Sequence, residues 1–256
     1  MAENKFLQSE TVYRLTKGAF YMSLQANDTT QKTTEIKSKP VYDFFKRLFD
    51  IISSLMVSIV LLVPMLIVAV IIISKDGWSP FYKQMRVGRN KKMIGVFKFR
   101  SMKNNADRLE EMLPPDKLEE YRREYKITDD PRLIGYKKAG DGIKCFGAKL
   151  RKTSFDEVPQ ILINILILGN MSVVGPRPIL PDELEENYTP EQQKLLLSVK
   201  PGLTGYWQAY ARNKAGYGTG ERQSMEMFYI ENRSFFLDMK IIFKTVSAVF
   251  ADVKSL

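Results

Sequence analysis

The most prominent hydrophobic pattern is an apolar segment at residues 51–74 that contains no charged side chain. As a straight helix it would reach about 36 Å, enough to cross the hydrocarbon core of a bilayer. Pro64 lies near its middle, where proline removes a helical N–H and clashes with the preceding turn. Basic residues flank the segment on both sides, and such residues favour the cytoplasmic side. Two topologies are open: a kinked spanning helix, or a helix–break–helix that enters and leaves the same leaflet.

Shorter patterns after this segment predict a small α/β domain. Alternation over residues 96–100 indicates a strand. Residues 105–126 are charged and helical in pattern, with Pro114 and Pro115 as a break. Residues 161–168 are apolar but too short to span a membrane, which predicts a core or interfacial helix. Residues 235–253 predict an amphipathic helix, either packed on the core or lying on the membrane surface.

Changes in pattern along the chain predict three parts. Residues 1–40 are polar and weakly patterned, without the basic-then-apolar sequence of a cleavable signal peptide. Residues 41–78 contain the apolar segment with its basic flanks, and residues 79–256 form a third part that ends in the amphipathic helix.

Charge and missing residue types narrow the chemistry. The formal net charge is +10, which suits an anionic partner such as a phosphorylated substrate, anionic lipid or nucleic acid, although general solubility explains it equally well. The chain has no histidine, which excludes imidazole catalysis and histidine metal sites. Its one cysteine, Cys145, excludes an intrachain disulfide and is interpreted as a small buried residue. A metal would therefore need oxygen ligands, which favours a hard cation such as Mg²⁺.

Two adjacent acids, Asp156 and Glu157, are candidates for catalysis. A structural role is the alternative, because Ser154 and Glu157 have the spacing of a capping box. Pro159 argues against that role, since proline is best tolerated in the first turn of a helix. If the regular helix begins near Pro159, the acids lie on the turn that enters it, where metal and phosphate can be held.

Rigid turns rich in proline and glycine follow the acids. Gly175–Pro178 presents Arg177 between two prolines, and arginine suits bidentate phosphate contacts. A second such loop spans residues 200–208 and is followed by Arg212. These turns are either plain surface loops or parts of an anion site.

Taken together, these motifs resemble the bacterial sugar transferases, monotopic phosphoglycosyl transferases that begin glycan assembly on polyprenyl phosphate. The resemblance covers about residues 46–253. No single block is specific to the family, but the presence of all blocks in the same order is. The matching blocks are Lys46–Asp50, Gln84–Gly88, Lys98–Met102, Asp130–Arg132, Leu150–Glu157, Gly175–Pro178, Lys200–Gly205 and Leu237–Lys240.

The resemblance implies a re-entrant helix broken at Pro64. It implies that Asp156 is the nucleophile, Glu157 its partner, and that Mg²⁺ binds at this pair through Asp156. It also implies phosphate contacts from four basic side chains: Lys98, Arg151, Arg177 and Arg212. The chain departs from the family pattern in having Val63 before Pro64, where serine is common, and Asn170 where aspartate is common, so Asn170 is not named as a metal ligand.

The expected protein is thus a mainly helical α/β catalytic domain built on a re-entrant membrane helix and amphipathic interfacial helices. The resemblance implies a UDP-sugar donor, an undecaprenyl phosphate acceptor, contact with anionic membrane lipid, and no nucleic acid. The location expected is the cytoplasmic face of the bacterial inner membrane, in the first membrane step of exopolysaccharide, capsule or O-antigen assembly. A homo-oligomer is left open. Two other functions are considered: a magnesium-dependent glycosyltransferase that moves sugar without phosphate, and a non-enzymatic basic membrane adaptor.

Overall fold

The computed structural model describes residues 39–124, 127, 129–138, 140, 144–211 and 220–254 of the 256-residue chain. Almost all of the predicted N-terminal part lies outside the described residues, so its boundary remains a prediction. From Lys39 onward the chain forms one compact unit.

A single helix, α1 (Pro40–Asp76), contains the whole apolar segment. Pro40 lies in its first turn, where its missing N–H costs nothing. The helix ends before Gly77, whose positive φ of 71° is readily adopted only by glycine. By length and composition, α1 is the one described helix able to cross a membrane.

Pro64 lies inside α1, and the structure has one continuous helix where the sequence predicted two halves. Whether Pro64 breaks the path of this helix in a membrane stays a prediction. Proline removes only one helical hydrogen bond, and the long apolar sequences on either side continue the helix. Transmembrane helices also tolerate proline, because neighbouring side chains, waters and local adjustments satisfy the freed backbone group. The path of α1 relative to a membrane therefore depends on what its two ends contact.

Helix α1 faces the rest of the protein along one narrow stripe and contacts it at both ends. Ser54, Ser58, Met65 and Ile72 are buried at intervals of four or seven residues, which places them on one helical face. Most other apolar side chains of the helix are exposed: in its most hydrophobic window only 17% of the residues are buried. This combination of a narrow packed stripe and a broad apolar outer face is typical of a helix in contact with lipid.

The first sheet is an antiparallel hairpin of β1 (Phe81–Val87) and β2 (Met93–Phe99). Its register pairs Phe81 with Phe99, and a 3-10 turn at Arg89–Lys91 joins the strands. The predicted strand is confirmed, although it begins earlier, at Met93. The hairpin brings Lys98, near the end of β2, back toward the end of α1.

Short helices make up most of the rest, and the mainly helical α/β class is confirmed. They include the two helices predicted on either side of the Pro114–Pro115 break. The helices are α2 (Leu109–Met112), α3 (Pro115–Glu124), α4 (Phe146–Lys152), a π-helix (Ile161–Ile167), α5 (Pro181–Asn187), α6 (Pro190–Leu196), α7 (Tyr206–Ala211), α8 (Glu221–Asn232) and α9 (Phe235–Lys254).

A second sheet pairs β3 (Ser172–Val174) and β4 (Gly202–Thr204) in parallel. The two strands come so close that a side chain at Gly202 would meet the backbone nitrogen of Gly175 at 2.1 Å, so glycine is required there. The largest core cluster surrounds this sheet and includes Val174, Tyr229 and Ile241. The turn that follows β3 carries the predicted anion-binding residue Arg177, and the sheet fixes this turn next to β4.

The C-terminal helix α9 has two apolar faces. Ile241 is fully buried in the core, next to the buried carboxylate of Asp238. Phe236 and Phe243 are instead 80% and 71% exposed. The predicted amphipathic helix is confirmed, and its outer face has the large apolar side chains that suit a membrane interface.

Candidate active site

Asp156 and Glu157 lie on a short 3-10 turn, Phe155–Glu157, that leads into the helical segment beginning at Pro159. The prediction that the acids lie on the turn entering a helix is confirmed. The capping-box alternative is wrong, because Ser154 adopts left-handed backbone dihedrals with φ of 55° and its side chain caps no helix. The turn therefore presents both carboxylates beside the helix start.

Asp156 is buried, whereas Glu157 is half-buried. Burial raises the pKa of Asp156 to about 6, although the positive charge of Lys98 opposes this shift. Glu157 raises it further and Arg151 lowers it. Asp156 is thus a desolvated carboxylate whose ionised form depends on neighbouring cations, as is common for catalytic groups.

Glu157 is held by Lys98. The Lys98 Nζ lies 2.6 Å from Oε1 of Glu157, and both side chains are only partly exposed. Lys98 comes from β2, so the hairpin positions this cation against the acidic turn. The sequence predicted a phosphate-binding role for Lys98, and its present partner is the carboxylate of the pair.

The opposite side is formed by Arg177, on the turn after β3. Its backbone N–H donates to Oε1 of Glu226 at 3.3 Å, and its guanidinium carbon lies 5.8 Å from the centre of the Trp207 ring. Arg222 covers the same ring at 4.2 Å. Burial raises the pKa of Glu226 to about 7, against the opposing Arg177 and Arg222. Arg177 is thus oriented by a buried cluster of aromatic and charged residues.

An open cleft lies between these two sides. Most of the side chains that line the cleft are polar or charged. These are Arg86, Lys98, Glu157, Gln160, Arg177 and Gln208. The Nε2 group of Gln160 and the Oε1 group of Gln208 are buried and make no hydrogen bond to the described protein. These two amides therefore have unused hydrogen-bonding capacity beside the acidic pair.

Sequence reasoning missed Arg86, Gln160 and Gln208 as site residues. Gln160 follows Glu157 by three positions, which places the two side chains on one side of a helical segment. This spacing could have identified Gln160 from the sequence. Arg86 and Gln208 enter the cleft only through the strand pairing and the helix α7, for which the sequence gives no local indication.

One of the predicted basic residues that the structure describes does not line the cleft. Arg151, in α4, is exposed and influences Asp156 only through its charge. Arg212 lies outside the described residues. Lys98, Glu157 and Arg177 are therefore the predicted residues that the fold brings together around the cleft, with Asp156 beside them.

Other polar residues of the recognised blocks hold the architecture. Asp238 accepts hydrogen bonds from Tyr42, Lys46 and Tyr229 at 2.7–2.9 Å, which fastens the start of α1 to α9. Arg100, which pairs with Asp76, fastens the end of α1 to the hairpin.

The acidic pair supplies few metal ligands. No group of three acidic, cysteine or histidine side chains suited to a metal occurs among the described residues. Mg²⁺ is often bound by one or two carboxylates together with substrate phosphates, so a pair of acids next to an anion-binding cleft fits this ion.

Known proteins are similar in sequence to this chain over most of its length. Residues 41–252 match the family model described as bacterial sugar transferase. The chain is 39% identical over 214 residues to the exopolysaccharide production protein ExoY of Sinorhizobium fredii, covering 82% of this chain and 88% of that protein. It is 39% identical over 209 residues to the undecaprenyl-phosphate galactose phosphotransferase of Salmonella typhimurium, covering 80% of this chain and 40% of that protein. It is 35% identical over 204 residues to the uncharacterized sugar transferase EpsL of Bacillus subtilis, covering 80% of this chain and 86% of that protein. With most of its length matched by the family model, the chain belongs to the bacterial sugar transferase family.

Proposed function

We propose that this transferase moves a sugar 1-phosphate from a UDP-sugar onto undecaprenyl phosphate. The observation that carries the proposal is the polar cleft in which Lys98 and Glu157 face Arg177, beside the buried Asp156. The name of the Salmonella relative, an undecaprenyl-phosphate galactose phosphotransferase, supports the acceptor and the phosphosugar product. The name of the ExoY relative, an exopolysaccharide production protein, supports a role in polysaccharide synthesis.

In the proposed mechanism, a carboxylate oxygen of Asp156 attacks the phosphorus attached to the sugar. The bond from that phosphorus to UMP breaks, UMP leaves with the bonding electrons, and a sugar-phosphoryl aspartate remains. An oxygen of the lipid phosphate then attacks the same phosphorus and releases the Asp156 carboxylate. A covalent intermediate allows a soluble donor and a lipid acceptor to use one site in turn.

The cations of the cleft stabilise the charge that accumulates in both steps. Arg177 can contact phosphate oxygens with two N–H groups, and Lys98 keeps negative charge near the acidic pair neutralised. Mg²⁺, when bound by Asp156 with the substrate phosphates, would add Lewis-acid stabilisation of the diphosphate. The buried amides of Gln160 and Gln208 remain available for hydrogen bonds to the donor.

The membrane association proposed for this enzyme rests on α1 and α9. Both ends of α1 contact the same catalytic domain, Lys46 through Asp238 and Asp76 through Arg100. A helix that crossed the bilayer would carry its first residues to the other side, away from that domain. We therefore propose that α1 enters and leaves the cytoplasmic leaflet, with the cleft in the cytoplasm where nucleotide sugars occur.

The released nucleotide tests the proposed reaction. Purified enzyme is incubated with a panel of UDP-sugars and undecaprenyl phosphate, and the nucleotide product is identified. UMP together with a lipid diphosphate sugar is the expected result. UDP release would indicate transfer of sugar without phosphate and would overturn the proposal. The absence of turnover with every UDP-sugar tested would do so as well.

Removal of metal is a second test of the same site. We expect excess chelator to abolish UMP release and Mg²⁺ to restore it, because Asp156 and Glu157 cannot neutralise a diphosphate. Undiminished activity in chelator would contradict a metal at the acidic pair.

A further inference from the structure

Three basic side chains lie near one another and are not part of the cleft lining: Arg47, Arg89 and Lys200. We call them the basic trio. They come from α1, from the turn between β1 and β2, and from the loop before β4. The fold therefore assembles the trio from three distant parts of the sequence.

Arg47 is held at the end of the π-helix. Its Nη1 donates to the Ile165 carbonyl oxygen at 3.0 Å. Its Nη2 lies 2.9 Å from the position that a Cβ of Gly169 would occupy, so a larger residue there would displace the guanidinium. The neighbouring Ile167 and Leu168 are 66% and 51% exposed. The guanidinium thus lies beside an exposed apolar edge.

Backbone contacts bring the other two cations to the same region. The N–H of Asn90, next to Arg89, donates to the Leu197 carbonyl oxygen at 2.8 Å. Leu197 precedes Lys200 by three residues, so the hairpin turn lies against the loop that carries Lys200.

A second set of contacts joins this loop to α1. The N–H of Ser172 donates to the carbonyl oxygen of Pro201, the residue after Lys200, at 2.9 Å. The N–H of the next residue, Val173, donates to Oδ1 of Asp50 at 3.0 Å. Asp50 lies one helical turn beyond Arg47, which places Lys200 close to that arginine.

The charges of this region are not balanced. Lys200 is half-buried, and neither it nor Arg89 makes a side-chain hydrogen bond or ion pair with the described protein. Burial lowers the pKa of Lys200, and so do Arg47 and Arg89, while Asp50 opposes them. Lys200 is therefore close to two other cations and to one carboxylate, that of Asp50, which already accepts a backbone hydrogen bond. A bound anion would remove this repulsion.

The position of the trio indicates the kind of anion. Arg47 lies just before the apolar segment of α1, among exposed side chains such as Phe44, Leu48 and Ile51. If these apolar side chains lie in the membrane, the trio lies at the level of the lipid phosphates.

We propose that the basic trio is a binding site for a lipid-borne phosphate, separate from the acidic pair. The phosphate has two sources: an anionic phospholipid, or the polyprenyl phosphate acceptor, which binds here before it enters the cleft. The second source rests on the proposed function. Arg47 provides a fixed guanidinium, whereas Arg89 and Lys200 provide side-chain cations that pair with nothing in the described part of the chain.

The test compares two double variants that lose the same charge. Arg89→Gln with Lys200→Gln removes two members of the trio, and Lys91→Gln with Lys92→Gln removes two exposed lysines next to Arg89. Retention of phosphatidylglycerol by purified protein is measured by native mass spectrometry. Acceptor and donor KM are measured in phosphatidylcholine nanodiscs, and thermal unfolding verifies that both variants are folded.

Loss of charge-assisted hydrogen bonds is expected to weaken binding about tenfold. If the acceptor is the source, the trio variant raises acceptor KM without changing donor KM. If phospholipid is the source, the trio variant retains less phosphatidylglycerol and its acceptor KM is unchanged. Either result supports the site, provided that the control variant at Lys91 and Lys92 does not show it. Equal behaviour of the two variants in both measurements overturns it. A wild-type protein that retains phospholipid but releases no UMP would contradict the proposed function alone.

Discussion

Asp156 combines burial with a negative charge, and this combination affects stability as well as catalysis. Burial raises its pKa to about 6, so the folded protein binds more protons than the unfolded chain between the ordinary aspartate pKa and that value. The contribution of this group therefore favours folding at low pH and is lost as the pH rises through about 6. At pH 8 the ionised carboxylate destabilises the metal-free protein.

We accordingly expect Asp156→Asn to have two opposite effects. Turnover should fall by several orders of magnitude, because the amide cannot form the phosphoryl intermediate. Thermal unfolding in chelator at pH 8 should shift upward by about 2–5 °C, since the buried charge is gone. Substantial UMP release by a folded Asp156→Asn protein would refute the nucleophile. A lower unfolding temperature would instead refute the electrostatic interpretation.

Lys98 tunes the same carboxylate. Because its charge lowers the pKa of Asp156, Lys98→Gln should raise that pKa further and move the acidic limb of the pH–rate profile to higher pH. Arg151→Gln provides the graded comparison, since Arg151 lowers the same pKa to a smaller extent. Rates of UMP release between pH 5 and 9 measure both. An acidic limb that does not move in the Lys98 variant would exclude Asp156 as the group that titrates.

Arg177 depends on residues that do not line the cleft. Its guanidinium lies over Trp207, whose ring also contacts Arg222. Trp207→Leu keeps an apolar side chain but removes the ring, so Arg177 loses its orientation. We expect kcat/KM to fall about tenfold, with Trp207→Phe recovering most of it, because cation–π contacts contribute about 1–2 kcal/mol when desolvated. Equal losses in the two variants would assign Trp207 a purely packing role.

At the scale of elements, the sequence predicted features that depend on neighbours along the chain. Pro159 marked the beginning of the helix and thereby placed Asp156 and Glu157 on the turn before it, as observed. The break at Pro114–Pro115 and the strand ending at Phe99 were predictable for the same reason, because backbone restrictions act locally.

Features that depend on contacts between distant elements were not predictable in this way. Lys98 meets Glu157 only because the β1–β2 hairpin folds against the acidic turn, 59 residues later in the chain. Gln208 reaches the cleft through the start of α7. At Pro64 the sequence predicted two separate helices, whereas the structure has one. The local effect of this proline is small compared with the continuous helical pattern around it.

At the scale of the whole molecule, α1 acts as both membrane element and structural support. Asp238 joins the first turns of α1 to α9, and Asp50 joins the next turn to β3. Asp76 and Arg100 join its last turn to the hairpin that carries Lys98. The depth of α1 in the membrane therefore sets the position of the cleft relative to the lipid phosphates.

The same contacts make a definite prediction about topology. Val41 and Trp78, just inside and just beyond the two ends of α1, are 70% and 78% exposed. Each is changed singly to cysteine in a Cys145→Ser background, which removes the one native thiol. If α1 re-enters, an impermeant thiol reagent should label neither position in intact cells and both after lysis. This outcome is expected because Lys46 and Asp76 both contact the catalytic domain, which keeps the two ends of α1 together in the re-entrant arrangement. Labelling of the Val41→Cys variant in intact cells would establish a spanning helix and refute the re-entrant arrangement.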